Sequence, residues 1–140
     1  MASKIKFEMP DFSLALKNAT EKALDEAGFA IVEEVVQTAP KKETTYVKQV
    51  QYIQSQRQVI AAAPYSAILE YGSRPHKIEP TAGKKALHFK NKNGDWVFAK
   101  IVRHPGTKPL AIMRKAALKV QRQVGGMFIN NFKKELKNNV

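Results

Sequence analysis

The sequence predicts an α+β fold: a small antiparallel sheet covered by a long N-terminal helix and a long C-terminal helix. Three observations carry this. Apolar residues recur at helical spacing over 12–38, they do so again from Pro109 to about Leu136, and short β-branched and aromatic runs lie between. At 140 residues, 44% apolar and 26% charged, the chain matches one domain in size and composition, so a single unit over 1–140 is expected.

In the first element Leu16, Ala19, Ala23, Ala27, Ala30 and Ile31 share one helical face, with Asp11 or Ser13 as cap. Pro40 ends it by forbidding helical geometry at Ala39. Thr44 to Ile53 and Arg57 to Ala62 read as two strands joined by the polar Gln54-Ser55-Gln56. A hairpin follows at about 85–102, with Asn93-Gly94 as a two-residue primed turn. That register pairs Phe89 with Phe98, sets Leu87 and Trp96 on the same face, and calls for a helix to cover all four. The last helix opens with Pro109 and carries Met113, Ala117, Val120, Val124, Met127 and Phe128 along one face. At Gly125-Gly126 either neighbours pack closely or the helix breaks, leaving 127–140 as a separable arm, since each glycine costs about 1 kcal/mol relative to alanine.

Charge is uneven. Of 24 basic and 12 acidic residues, the part through Pro40 carries 4 and 7, and the part from His76 onward 15 and 3. The basic half attracts polyanions or an acidic protein. With no cysteine, disulfides and thiolate chemistry are excluded. No run approaches the roughly 20 apolar residues of a membrane span, and the first residues lack the apolar stretch of a secretory signal, so neither membrane nor export is expected.

Three histidines invite a test for phosphodiester chemistry, which needs two of them converging on one phosphate. His88 lies within the hairpin, whereas His76 and His104 lie in the loops RPHKIEP and VRHPGTKP, which could meet at one end of the sheet. Histidines beside prolines more commonly bond backbone, and carboxylates are too sparse there for a hydrolytic metal site. Gly-rich phosphate loops are missing. Lys84, Lys85, Lys90 and Lys92 around the hairpin, and Arg114, Lys115, Lys119 and Arg122 on the last helix, could contact DNA phosphates without reading sequence, or form a solvated face. No aromatic platform for a single strand is evident.

Two segments carry a family resemblance. APYSAILEYGSRPHKIEP resembles the "YA-x-(hydrophobic)-(hydrophobic)-E-(aromatic)-G-(S/T)" segment, and RHPGTKPLAIMRKAA the "HPGTKP" segment, of the siphophage tail-component family: head-to-tail connector, tail completion or neck proteins. Their order after a long helix ending in Ala-Pro also matches. One departure is KKETTYV, where members commonly have "VDTG-x-L". The resemblance implies a structural virion protein, assembled in the host cytoplasm. It would form a homo-oligomeric ring at the neck, bind other neck and tail proteins around the DNA passage, and carry no enzymatic activity and no cofactor. Under it, Glu70, Tyr71, Arg74, His76, Lys77, Arg103, His104 and Lys108 are the interface candidates, and the eight basic residues above face the DNA channel or an acidic neighbour.

Overall fold

The computed structural model describes residues 5–6 and 10–138 and has the expected α+β class. The described chain divides into two compact units: the part through Ala63 joined by the part from Ile112, and Pro64–Ala111.

The first unit is built on two helices, α1 (Ser13–Thr38) and α4 (Ile112–Asn138). The Ser13 backbone N–H donates to Asp11 Oδ1 at 2.9 Å, which starts α1 and holds that carboxyl below its usual pKa. Ala39 is extended before Pro40, as proline requires of its predecessor. The two helices run antiparallel, because Lys22 meets Glu135, Glu26 meets Asn131 and Glu34 meets Lys119. The buried seam of α1 is Ala15, Ala19, Ala23 and Ala27, a four-residue ridge of the smallest side chains. Leu16, expected inside, is exposed, and the α4 stripe begins at Ile112, Ala116 and Val120 rather than at Met113 and Ala117. Packing along the i±4 ridge explains both shifts: it puts alanine, not leucine, at the point of closest helix approach.

Charged rungs flank the seam. Glu135, buried, accepts from Asn18 Nδ2 at 3.2 Å and from Lys22 Nζ at 2.5 Å. Asn131, also buried, donates to Glu26 at 3.1 Å and to the Met127 carbonyl at 2.9 Å. These bonds satisfy polar groups that would otherwise be costly to bury. They also fix the end of α4, which runs unbroken through Gly125-Gly126. Residues 127–138 of the segment expected as a separable arm continue α4, with Asn131, Phe132 and Glu135 in contact with the first helix or its start; 139–140 lie outside the described residues. A Cβ on either glycine would meet nothing within 4 Å, so close packing is not what places them there.

Between Pro40 and Pro64 the first unit adds α2 (Thr44–Lys48), β1 (Val50–Ile53), a 3-10 turn (Gln54–Gln56) and β2 (Gln58–Ala61). Thr44 to Lys48, expected as strand, is helical. The Val47 N–H bonds the Glu43 carbonyl, and this turn buries Tyr46 just before Val50, also buried, opens β1; that burial overrides the β-propensity of Thr-Thr-Tyr-Val. From β1, Tyr52 lies over Gly28, where a Cβ would come within 2.6 Å of three ring atoms. Its hydroxyl donates to Asp25 at 2.6 Å, and Gln54 donates to the same carboxylate at 2.6 Å.

The second unit contains α3 (Ser66–Tyr71) and four short strands, β3 (His76–Ile78), β4 (Leu87–Lys90), β5 (Trp96–Ala99) and β6 (Val102–His104). The expected sheet is three separate two-stranded antiparallel ladders, β1–β2, β3–β6 and β4–β5. In β4–β5 the register differs from expectation by one residue: His88 faces Phe98, Phe89 faces Val97 and Lys90 faces Trp96. The turn causes this. The Asn91 N–H bonds the Asp95 carbonyl, the Gly94 N–H bonds the Asn91 carbonyl, and Gly94 has φ +89°, giving a three-residue loop with glycine in the left-handed position. Asn91 Oδ1 also accepts from the Asn93 and Asp95 N–H groups, so the loop is closed by its own side chain. Because strand side chains alternate, one step sends Trp96 and Phe98 to the face opposite Leu87 and Phe89. Leu87, Phe89 and Val97 are half-buried; Trp96 is 59% exposed and Phe98 71%, so the expected four-residue apolar face does not form.

The last helix, expected from Pro109, starts at Ile112. The Leu110 and Ala111 N–H groups bond the Leu69 carbonyl at 2.8 and 3.3 Å, and Ala111 sits at φ +51°. Among the described residues no helix is long and apolar enough to cross a membrane.

The carboxyls of Asp25 and Glu135 are held below the usual carboxylate range, Asp25 chiefly by the Tyr52 hydroxyl and Glu135 chiefly by Lys22. A carboxyl depressed in the folded state stabilises fully above its unfolded pKa of about 4, and loses that contribution as pH falls through the folded value. Urea midpoints are expected to be level between about pH 7 and 5 and to fall below about pH 4. The D25N/E135Q double variant should be less stable at neutral pH and show a shallower acid decline; an unchanged decline would remove these two groups as its cause.

Candidate functional site

The two segments singled out in the sequence are brought together in the second unit. Helix α3 ends when the Gly72 N–H bonds the Ile68 carbonyl at 2.8 Å and Gly72 turns at φ +75°, which non-glycine residues resist. Ser73 and Thr107 then exchange backbone hydrogen bonds at 2.9 and 3.1 Å, and the Thr107 N–H also reaches Ser73 Oγ at 3.0 Å. Gly106, at φ +87°, makes the return turn. A Cβ at Gly72 would lie 2.4 Å from the Thr107 carbonyl oxygen, and one at Gly106 would lie 2.4 Å from the Ser73 carbonyl oxygen. Each glycine thus lets its own strand lie against the backbone of the other.

This crossing sets the register of β3–β6, in which His76 faces His104, Lys77 faces Arg103 and Ile78 faces Val102. The loops RPHKIEP and VRHPGTKP, expected only to meet, are hydrogen-bonded partners. The imidazoles of His76 and His104 stack with centroids 5.0 Å apart. His76 Nδ1 lies 2.9 Å from the Arg74 carbonyl, which can only accept, so this nitrogen donates. His104 Nδ1 accepts from the Gly106 N–H at 3.1 Å. In the neutral rings Nε2 is therefore an acceptor on His76 and a donor on His104.

Lys77 and Arg103, both exposed, stand directly opposite each other, an arrangement that destabilises a ladder. Arg74 and Lys108 are exposed on the segments leading into it. Tyr71, the last residue of α3, is 74% exposed, while Glu70 is half-buried. All eight interface candidates therefore belong to this one unit. The unit carries nine lysines and arginines against three acidic residues. Between its ladders Ile78, Leu87, Phe89 and Val102, with His88 and His104, line an apolar cavity of about 290 Å³.

The DNA-contact candidates divide between the two units. Lys84 and Lys85 line a shallow depression with Lys100 and Glu79, and Lys90 and Lys92 belong to the β4–β5 hairpin. Arg114, Lys115, Lys119 and Arg122 lie on α4, where Lys119 is committed to Glu34 at 2.7 Å.

Sequence reasoning missed the outer face of β4–β5. There His88 stacks between Trp96 and Phe98, with centroids 4.3 Å from each, and Lys90 Nζ lies 5.1 Å from the centre of the Trp96 ring. The available signal was Asn91, whose side chain favours a loop one residue longer than Asn93-Gly94 alone would form. Comparison with protein-family models, curated proteins and solved structures finds no match to the chain.

Replacing Gly72 or Gly106 with alanine should cost several kcal/mol, because a backbone carbonyl occupies the Cβ position and φ is positive. Gly94→Ala, with open space around it, should cost only about 1 kcal/mol. Urea denaturation of the three variants checks the order, and equal costs would mean the crossing is not tight.

Proposed function

We propose that the chain is a structural subunit of a siphophage head-to-tail junction, assembling with copies of itself into a ring around the DNA passage and binding neighbouring neck and tail proteins in the virion. One observation carries the reading. The two segments that resemble the tail-component family form a single ladder, locked by reciprocal glycine contacts, and it displays Tyr71, Arg74, Lys77, Arg103 and Lys108 outward.

Such a surface suits docking. Its backbone is fixed before contact, so little ordering entropy opposes binding. Lys77 opposite Arg103 weakens the isolated ladder, and an acidic neighbour would relieve that repulsion. Leu14, Phe29, Val36, Leu118 and Ile129 on the two long helices are exposed as well, which favours burial against further copies. In a ring each copy offers two different surfaces, one to each neighbour.

Phage producing the R74S/K77S/R103S/K108S variant are expected to accumulate unjoined heads and tails, provided circular dichroism confirms that the variant folds. Normal yields of infectious particles would overturn this reading, as would an image of an intact virion without the chain at the neck.

A second reading rests on the stacked pair His76 and His104, whose Nε2 atoms offer an acceptor beside a donor amid basic residues. That arrangement could take a proton from an attacking 2′-hydroxyl and return one to the leaving 5′-oxygen of RNA. It requires cleavage of an RNA oligonucleotide by purified protein, falling at least about a hundredfold in either H76Q or H104Q. The junction reading requires no turnover at all.

A further inference from the structure

We propose that the outer face of the β4–β5 hairpin is a stacking platform for single-stranded nucleic acid, with Trp96 and Phe98 receiving bases and Lys90, Lys92 and Lys100 holding the phosphates. The proposal does not depend on the ring: the free chain would bind in the same way.

The face is preassembled. Trp96, His88 and Phe98 form one continuous stack, with centroid separations of 4.3 Å and interplanar angles of 27° and 9°. His88 fills the space between the two larger rings, so the stack does not have to collapse or reorganise to receive a ligand. Trp96 and Phe98 nonetheless remain 59% and 71% exposed, the opposite of what core packing would leave. Flat aromatic surfaces in water gain from covering by another π-face, and every nucleobase has one.

Charge selects among occupants. Lys90 Nζ lies over the Trp96 ring, 5.1 Å from its centre, on a flexible side chain that an incoming base can displace towards its phosphate; Lys92 lies in the turn and Lys100 directly follows β5, and all three are exposed. The single acidic residue in this stretch, Asp95, accepts from Asn91 Nδ2 at 3.3 Å. An anionic, base-bearing strand complements this pattern. Duplex DNA does so poorly, because its bases are stacked on one another and its backbone would press charged phosphates against the rings. A second copy meeting the same face about a two-fold axis would set this lysine-bearing patch against an identical one.

Trp96 is the only tryptophan in the chain, so its emission reports on this face alone. The test is titration of the full-length protein with a twelve-residue oligothymidylate at rising salt, following tryptophan fluorescence, with anisotropy of the labelled oligonucleotide for the variants. Quenching that weakens with salt is expected, with duplex DNA of equal length a poor competitor. Trp96→Ala and Phe98→Ala should each weaken binding between about five-fold and a hundred-fold. Phe98→Leu keeps apolar bulk without a π-face, so it should weaken binding even if the alanine variant disturbs the hairpin. Lys92→Gln, outside the ladder, should lower the slope of affinity against salt by about one phosphate contact.

Binding that leaves the emission unchanged, ignores both Phe98 variants and is displaced equally by duplex DNA would overturn the proposal in favour of simple charge attraction. An emission change on concentrating the protein alone, with no response to the oligonucleotide, would overturn it in favour of self-association.

Discussion

Two backbone segments cross at Gly72 and Gly106 so closely that neither can carry a side chain, and the organisation of the second unit follows from that crossing. It ends α3, seats Ser73 against Thr107, and thereby fixes which residues of β3 and β6 face one another. Lys77 opposite Arg103 would not arise from pair preferences, since like charges directly opposite oppose pairing by roughly 0.2 to 1 kcal/mol. The register is imposed from the glycine end, and the charges accept the consequence. A surface with repulsion built into a rigid frame holds its basic groups close together before any partner arrives, which is the condition for fast, charge-steered docking.

The helical unit solves a different problem. A ridge of four alanines lets α1 and α4 approach closely but buries little apolar area per residue, so larger side chains such as Leu14, Leu24 and Phe29 remain outside the seam. The polar rungs at Glu135 and Asn131 compensate through specificity: only one sliding position of the helices places Asn18 and Lys22 on Glu135 and Glu26 on Asn131. A pair assembled in this way is well aligned yet leaves apolar surface uncovered.

The sequence revealed elements more readily than their facing. Both long helices, the stop at Pro40, the β2 strand and the existence of the hairpin were legible, because periodicity and proline act locally. The coming together of RPHKIEP and VRHPGTKP was expected only as a meeting of loops; their pairing depends on two glycines 34 residues apart, and no local pattern announces that. Thr44 to Lys48 looked like strand because β-propensity describes fit to a pleated surface, whereas the demand here came from a core that takes Tyr46 from a helical turn and Val50 from the strand after it. The alanine seam was half legible: helical spacing puts Ala19, Ala23 and Ala27 inside, but it admits Leu16, three residues before Ala19, as readily as Ala15, four residues before it.

The hairpin register is the instructive failure, since a single residue of loop length decides what its outer face can do. With the two-residue turn, Trp96 and Phe98 would have joined Leu87 and Phe89 inside, and the outer face would have shown His88 and Lys90 beside the smaller Val97 and Ala99. Asn91 closing the loop around Gly94 sends both aromatics out and slides His88 between them. The same composition can therefore give a face of small apolar and basic side chains or an aromatic platform edged with lysine, and the choice rests with one side-chain amide rather than with the aromatics. It also separates two modes of anion attraction within one unit. On β3–β6 the basic groups border a stacked histidine pair, whereas on β4–β5 they border exposed π-faces, a surface complementary to planar rings as well as to negative charge.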